Sequence, residues 1–229
     1  GMSCTAFVAH FLGASFATRT ALETFSVDAP VRQTIEAAAG IDGNAVFALP
    51  LLPFSGTDDP ADPNVEVYGL LRTALGRLAT AVQAAGLRLA LELTRGNALG
   101  GSRAFIELCS TPVFGELGLV FDTGHFQVMG ETVDSLPELF GDRILATHLC
   151  DNDGLVKLSL CPGSGSVPFD RTIEGLAASA YGGSLDVEIV CPADKVQAEY
   201  TRAVPLLKLM EDRIARTSST THTIIRSTP

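Results

Sequence analysis

Short, nearly uninterrupted apolar runs recur along this chain, separated by segments of helical periodicity, and that recurrence limits the fold more than any other feature. The runs are residues 5–11, 45–51, 88–94, 117–122, 144–149 and 184–190. Strands that stay apolar along their length, instead of alternating, are those covered on both faces, as in a parallel sheet under crossover helices. The segments between them read as those helices. Asp28 can cap a helix that has Pro30 in its first turn and Gly40 just beyond its end. Within 65–85, Leu70, Leu71, Ala74, Leu78, Ala81 and Val82 share one helix face. A further helix is predicted from Phe169 to Ser179, between Pro168 and Gly182, and a last one from Ala193 to about Ile214. The fold class is therefore α/β, a TIM-barrel-like parallel (β/α) domain over residues 1–215, with a Ser- and Thr-rich tail at 216–229. Six runs instead of eight predict a barrel incomplete at its N-terminal side. The exposed strand edge this implies predicts a homodimer.

Four of the runs carry one charged or imidazole side chain near the C-terminal end: Glu92, Asp122, His148 and Glu188. The C-terminal ends of barrel strands share one face, where the active sites of that fold sit. Three carboxylates and an imidazole meeting there suit one divalent ion, with manganese, magnesium, cobalt and zinc all compatible. A carboxylate in the middle of an apolar strand is costly to bury, so Glu92 and Glu188 need a partner. Pairing with Arg88 or Arg95 would supply one without any metal. Asp122-Thr-Gly-His125 is the sharpest local motif, because Gly124 lets the chain turn and returns His125 over the strand end. A plainer role is open to both residues there, Asp122 capping the following helix and His125 packing. Period-two alternation puts His148 and Cys150 on one strand face, and Asp151-Asn152-Asp153-Gly154 reads equally well as a turn. His10, at the end of the first run, could reach the same mouth or simply pack.

Charge and cysteine usage exclude several partners. A net charge of −10 with no basic stripe argues against nucleic acid. No apolar run is long enough for a membrane span. Five cysteines without a Cys-x-x-Cys pair indicate reduced thiols and a cytoplasmic protein. Gly1 before Met2 reads as a cloning remnant.

From Ala45 to Cys191 the sequence resembles the xylose isomerase-like family of barrels, which contains sugar isomerases, ketose 3-epimerases, inosose dehydratase and endonuclease IV. The resemblance rests on Glu92, on Asp122 to His125, on His148 with Asp151 and Asn152, on the Pro-Gly-x-Gly loop at 162–165, and on Glu188. It implies that Glu92, Asp122, His148 and Glu188 hold one divalent metal and that His125 contacts substrate. The implied activity is isomerisation or epimerisation of a small sugar or polyol, with Glu92 and Glu188 moving the proton next to a carbonyl. An inosose-type dehydratase would use the same parts. So would a non-catalytic degenerate barrel that binds metal or sugar. Many members carry Asp-x-His just before the Pro-Gly-x-Gly loop, and this chain has Lys157 and Ser159 in those places, which removes ligands of the nuclease branch. Without a metal, three close carboxylates repel by about 4 kcal/mol per pair at an effective dielectric of 20, so one of them is expected to hold a proton.

Overall fold

The computed structural model describes residues 4–41, 45–55 and 65–225. Its apolar runs form five parallel strands, β1 (Ala6–Val8), β2 (Val46–Leu51), β3 (Arg88–Leu93), β4 (Gly118–Asp122) and β5 (Ile144–His148), adjacent in chain order. This is an incomplete α/β barrel, as the run count predicts. The helices are α1 (Arg19–Thr24), α2 (Ala29–Ile41), α3 (Val65–Ala84), α4 (Ser102–Cys109), α5 (Thr123–Val128), α6 (Leu136–Phe140), α7 (Phe169–Ala178) and α8 (Val196–Ile225). The chain divides into two compact units, Gly1–Val120 and Phe121–Pro229.

In the first unit, β2 and β3 pair over six residues, from Val46↔Arg88 to Leu51↔Leu93, and every residue of β2 is buried. β1 pairs with β2 from Ala6↔Val46 to Val8↔Ala48, stopping short of Pro50, whose missing N–H could not extend that ladder. The α3 side chains Leu71, Ala74, Leu75, Leu78 and Val82 are buried along one face, as the 3.6-residue period requires. Two predictions for this unit need correction. The first run is a strand only at Ala6–Val8, because His10–Phe16 coils into a 3-10 helix, and His10 is exposed. Gly40 lies inside α2, which runs on to Ile41, whereas the capping role of Asp28 holds, its Oδ1 accepting the Val31 N–H at 3.3 Å.

The second unit begins within β4, which is buried throughout and leads directly into α5. The helix α7 buries Phe169, Ile173 and Leu176, and α8 buries Ala203 and Met210. The last predicted strand, 184–190, is a strand only at one parallel bridge, Leu149↔Val187. There the Leu149 N–H donates to Asp186 O at 2.7 Å and the Glu188 N–H to Leu149 O at 3.2 Å. The segment has half-buried residues from Ser184 to Glu188, so it lacks the two-sided cover that makes β2 and β3 continuous. The helix α8 extends through Ile225, with Pro205 within it. No helix among the described residues is long and apolar enough to cross a membrane.

Candidate metal centre

The site of the second unit starts from Asp122, the last residue of β4. Its side chain is 1% exposed, and its two oxygens have different tasks. Oδ1 caps α5 by accepting the His125 N–H at 2.8 Å, and it also lies 3.4 Å from Cys150 Sγ. Oδ2 receives the Lys157 ammonium at 3.0 Å and lies 4.0 Å from His125 Nε2. The capping role and the site role are therefore not alternatives, because each uses its own oxygen.

Asp122, His148 and Glu188 each offer a ligand atom, and these atoms lie within 4.8 Å of one another. His148 ends β5, and Glu188 follows the bridged residue Val187, which explains how a single bridge suffices to bring its carboxylate to the strand end. Ligand atoms about 2.1 Å from one ion lie up to about 4.2 Å apart, so the observed spacing needs only small side-chain movements to close on a metal. Two carboxylates and an imidazole are also the right chemistry for a hard or borderline divalent ion.

Glu92 belongs to the first unit. It lies in the penultimate position of β3 and is 4% exposed. The register Ala90↔Gly118 and Leu91↔Leu119 sets Glu92 level with Val120.

Lys157 is the residue whose place the sequence did not disclose. Its Nζ donates to Asp122 Oδ2 at 3.0 Å, to Glu188 Oε2 at 3.2 Å and to Ser159 Oγ at 3.1 Å. The two departures from Asp-x-His thus bond to each other. Burial of the ammonium works against its charge, but Asp122, with Glu188, outweighs that and raises the Lys157 pKa above its usual range. Burial alone would raise the Asp122 pKa, yet His125 and Lys157 together hold it below its ordinary value. Asp122 is therefore not the carboxyl that holds the expected proton, because an internal cation stands beside it. Burial, reinforced by Asp122, pushes the Cys150 thiol up to about 12, so it is a small protonated packing group and not a thiolate ligand.

The residues around this cluster are held by side-chain-to-backbone bonds. Asp151, fully buried, accepts four N–H groups: Asn152 at 2.9 Å and Val167 at 3.0 Å on Oδ1, Gly163 at 3.0 Å and Gly165 at 2.8 Å on Oδ2. It therefore anchors the Pro-Gly-Ser-Gly loop. Asn152 ties the same loop to the Asp-Thr-Gly-His turn, donating from Nδ2 to Gly124 O at 2.8 Å. A Cβ at Gly165 would collide with the Asn152 carbonyl, and one at Gly124 would sit 2.6 Å from Cys150 Sγ and 2.8 Å from Lys157 Cε. Those two positions require glycine for lack of space.

The family model of the xylose isomerase-like TIM barrel matches residues 6–209. The chain belongs to that family. Among curated proteins it is 29% identical over 134 residues to the uncharacterized protein y4fM of Sinorhizobium fredii, covering 56% of this chain and 42% of that protein. It is 29% identical over 92 residues to an inosose isomerase of Bacillus velezensis, covering 37% of this chain and 33% of the relative. The chain thus spans less than half the length of these curated relatives. Among solved structures, an L-ribulose 3-epimerase superposes with a TM-score of 0.65 at 18% identity, covering 86% of this chain and 70% of that one. The IOLI protein, described with a bound zinc atom, gives 0.60 at 20% identity, covering 85% and 67%. At those identities the structural likeness establishes the fold.

Proposed function

We propose that this barrel is a divalent-metal-dependent isomerase or epimerase of a small sugar or polyol. The observation that carries the proposal is the convergence of Asp122, His148 and Glu188 on one another. Glu92 is the fourth ligand in this reading. Its support is its buried place near the C-terminal end of β3. The zinc of the IOLI structure and the epimerase names of structural neighbours support the same assignment.

A divalent ion held by these four side chains supplies Lewis acidity toward a carbonyl and its neighbouring hydroxyl. The remaining work falls to the protein's own groups. One of Glu92 and Glu188 removes the proton next to the substrate carbonyl, and the other returns a proton, on the opposite face for epimerisation. Glu188, at 39% side-chain exposure, is the more accessible of the two to a substrate. His125, 18% exposed and tethered to Asp122 through its backbone N–H, orients the substrate oxygen that gains charge.

The inosose isomerase relative favours cyclic polyol ketones among the substrates to test. Such a substrate also permits a second reaction, in which one glutamate as acid expels a β-hydroxyl, an inosose-type dehydration. Metal-loaded protein incubated with ketoses and inososes in deuterated water should place deuterium at the carbon next to the carbonyl, and Glu188→Gln should abolish this. Loss of water from an inosose would select the dehydratase. Absence of both exchange and dehydration across these substrates, at saturating manganese, would contradict the enzyme reading. We also propose a homodimer, since β1 pairs only with β2 among the described residues; light scattering at the mass of a single chain would contradict it.

A further inference from the structure

We infer that Lys157 is a resident counter-cation of the carboxylate cluster, and that a divalent ion enters only by displacing its ammonium group. The inference rests on the metal-site reading above and adds a competitor to it.

Three observations converge. The ammonium has three N–H donors, and three acceptors meet it: Asp122 Oδ2 at 3.0 Å, Ser159 Oγ at 3.1 Å and Glu188 Oε2 at 3.2 Å. Two of these acceptors are carboxylates whose ligand atoms define the candidate centre. Asp122 Oδ1 already receives the His125 N–H at 2.8 Å and faces Cys150 Sγ at 3.4 Å, which leaves Oδ2 as its more available oxygen. A metal that takes Oδ2 meets the atom that Lys157 occupies, with the ammonium also on Glu188 Oε2.

The surroundings are shaped for this side chain. Its stem crosses Gly124, where a Cβ would come within 2.8 Å of Lys157 Cε and 3.0 Å of Cδ. Ser159 adopts a left-handed φ of 47°, unusual for a residue with a side chain, and its hydroxyl takes the third ammonium proton. The lysine side chain is only 19% exposed, so its charge is not dissipated into water. Like charges sharing the same two carboxylates repel strongly in such a place. The lysine and a divalent ion are thus alternatives for one position, and metal affinity is set by how readily the lysine leaves.

The test is titration of the metal-stripped full chain with manganese chloride, followed by calorimetry, for wild type, Lys157→Met and Lys157→Gln. Glutamine keeps a polar group near Ser159 if methionine impairs folding. Both variants should bind manganese at least tenfold more tightly than wild type. Affinities within threefold of one another would overturn the inference while leaving the metal site standing. If neither wild type nor either folded variant binds manganese, the inference and the metal-site reading fail together. A wild-type measurement guards against misfolded variants: manganese should speed acetylation of Lys157 relative to exposed Lys195 in peptide mass spectrometry. An unchanged or slower Lys157 rate under saturating metal would overturn the inference as well.

Discussion

The β2–β3 ladder and the segment from β5 to Glu188 reach the same kind of sheet by different means. The ladder is long, apolar and paired residue by residue, so it is held by burial and backbone hydrogen bonds alone. The other region has a five-residue strand, two isolated bridges (Leu149↔Val187 and Asp151↔Leu160) and a long irregular loop, and polar side chains fix much of its backbone. Asp151 in that loop does the work that strand pairing does in the ladder. The scaffold thus depends on hydrophobic residues, while the site depends on a few polar ones whose loss is not shared with neighbours.

That contrast can be broken first at Asp151. Asp151→Ala would leave four backbone N–H groups without their acceptor, two of them, Asn152 and Val167, buried, at a cost of about 4 kcal/mol, since each unsatisfied buried donor costs about 1–3 kcal/mol. Denaturant unfolding reads this as a fall in midpoint, and a loss under about 1 kcal/mol would show that the loop holds itself. In the ladder, fully buried Leu91→Ala should cost about 3 kcal/mol through lost burial and a cavity. Its metal affinity should stay near wild type when measured on the folded fraction, and a large loss would mean that packing at Leu91 governs how its neighbour Glu92 is held.

The smallest effect expected is that of acid. Asp122 has a folded pKa below its unfolded value, because His125 and Lys157 outweigh burial. Its contribution to stability is therefore complete above the unfolded pKa of about 4 and is lost as pH falls through the folded value. Melting temperature from pH 7 to pH 3 should fall more steeply for wild type than for Asp122→Asn. Parallel curves would remove Asp122 as a source of acid sensitivity.

The same contrast explains what could be read from sequence. Runs such as 45–51 and 88–94 announce themselves because two-sided burial demands apolar residues throughout, and the structure places β2 and β3 there within a residue. Asp122, His148 and Glu188 stood out because each interrupts or ends an apolar run, and they do converge. The run at 184–190 misled because its apolar residues resemble those of a strand, while its pairing is a single bridge. His10 misled because chain direction changes immediately after Val8, which composition does not register. Lys157 was visible as a departure from Asp-x-His, but its reach back to Asp122 was not, since it depends on a non-periodic loop and on the space that Gly124 leaves. Asp151 looked like a turn residue for the same reason, as three of its four partners lie 12 to 16 positions further along the chain.

The central claim is that Glu92, Asp122, His148 and Glu188 hold one divalent ion. Anomalous diffraction from crystals soaked in saturating manganese tests it most directly. The account predicts a single strong peak about 2.0–2.3 Å from a carboxylate oxygen of Glu92, Asp122 and Glu188 and from a ring nitrogen of His148, with the Lys157 ammonium moved off Asp122 Oδ2. No peak at that position, with Lys157 still bonded to Asp122 and Glu188, would contradict the claim and leave a barrel whose site is closed by its own lysine.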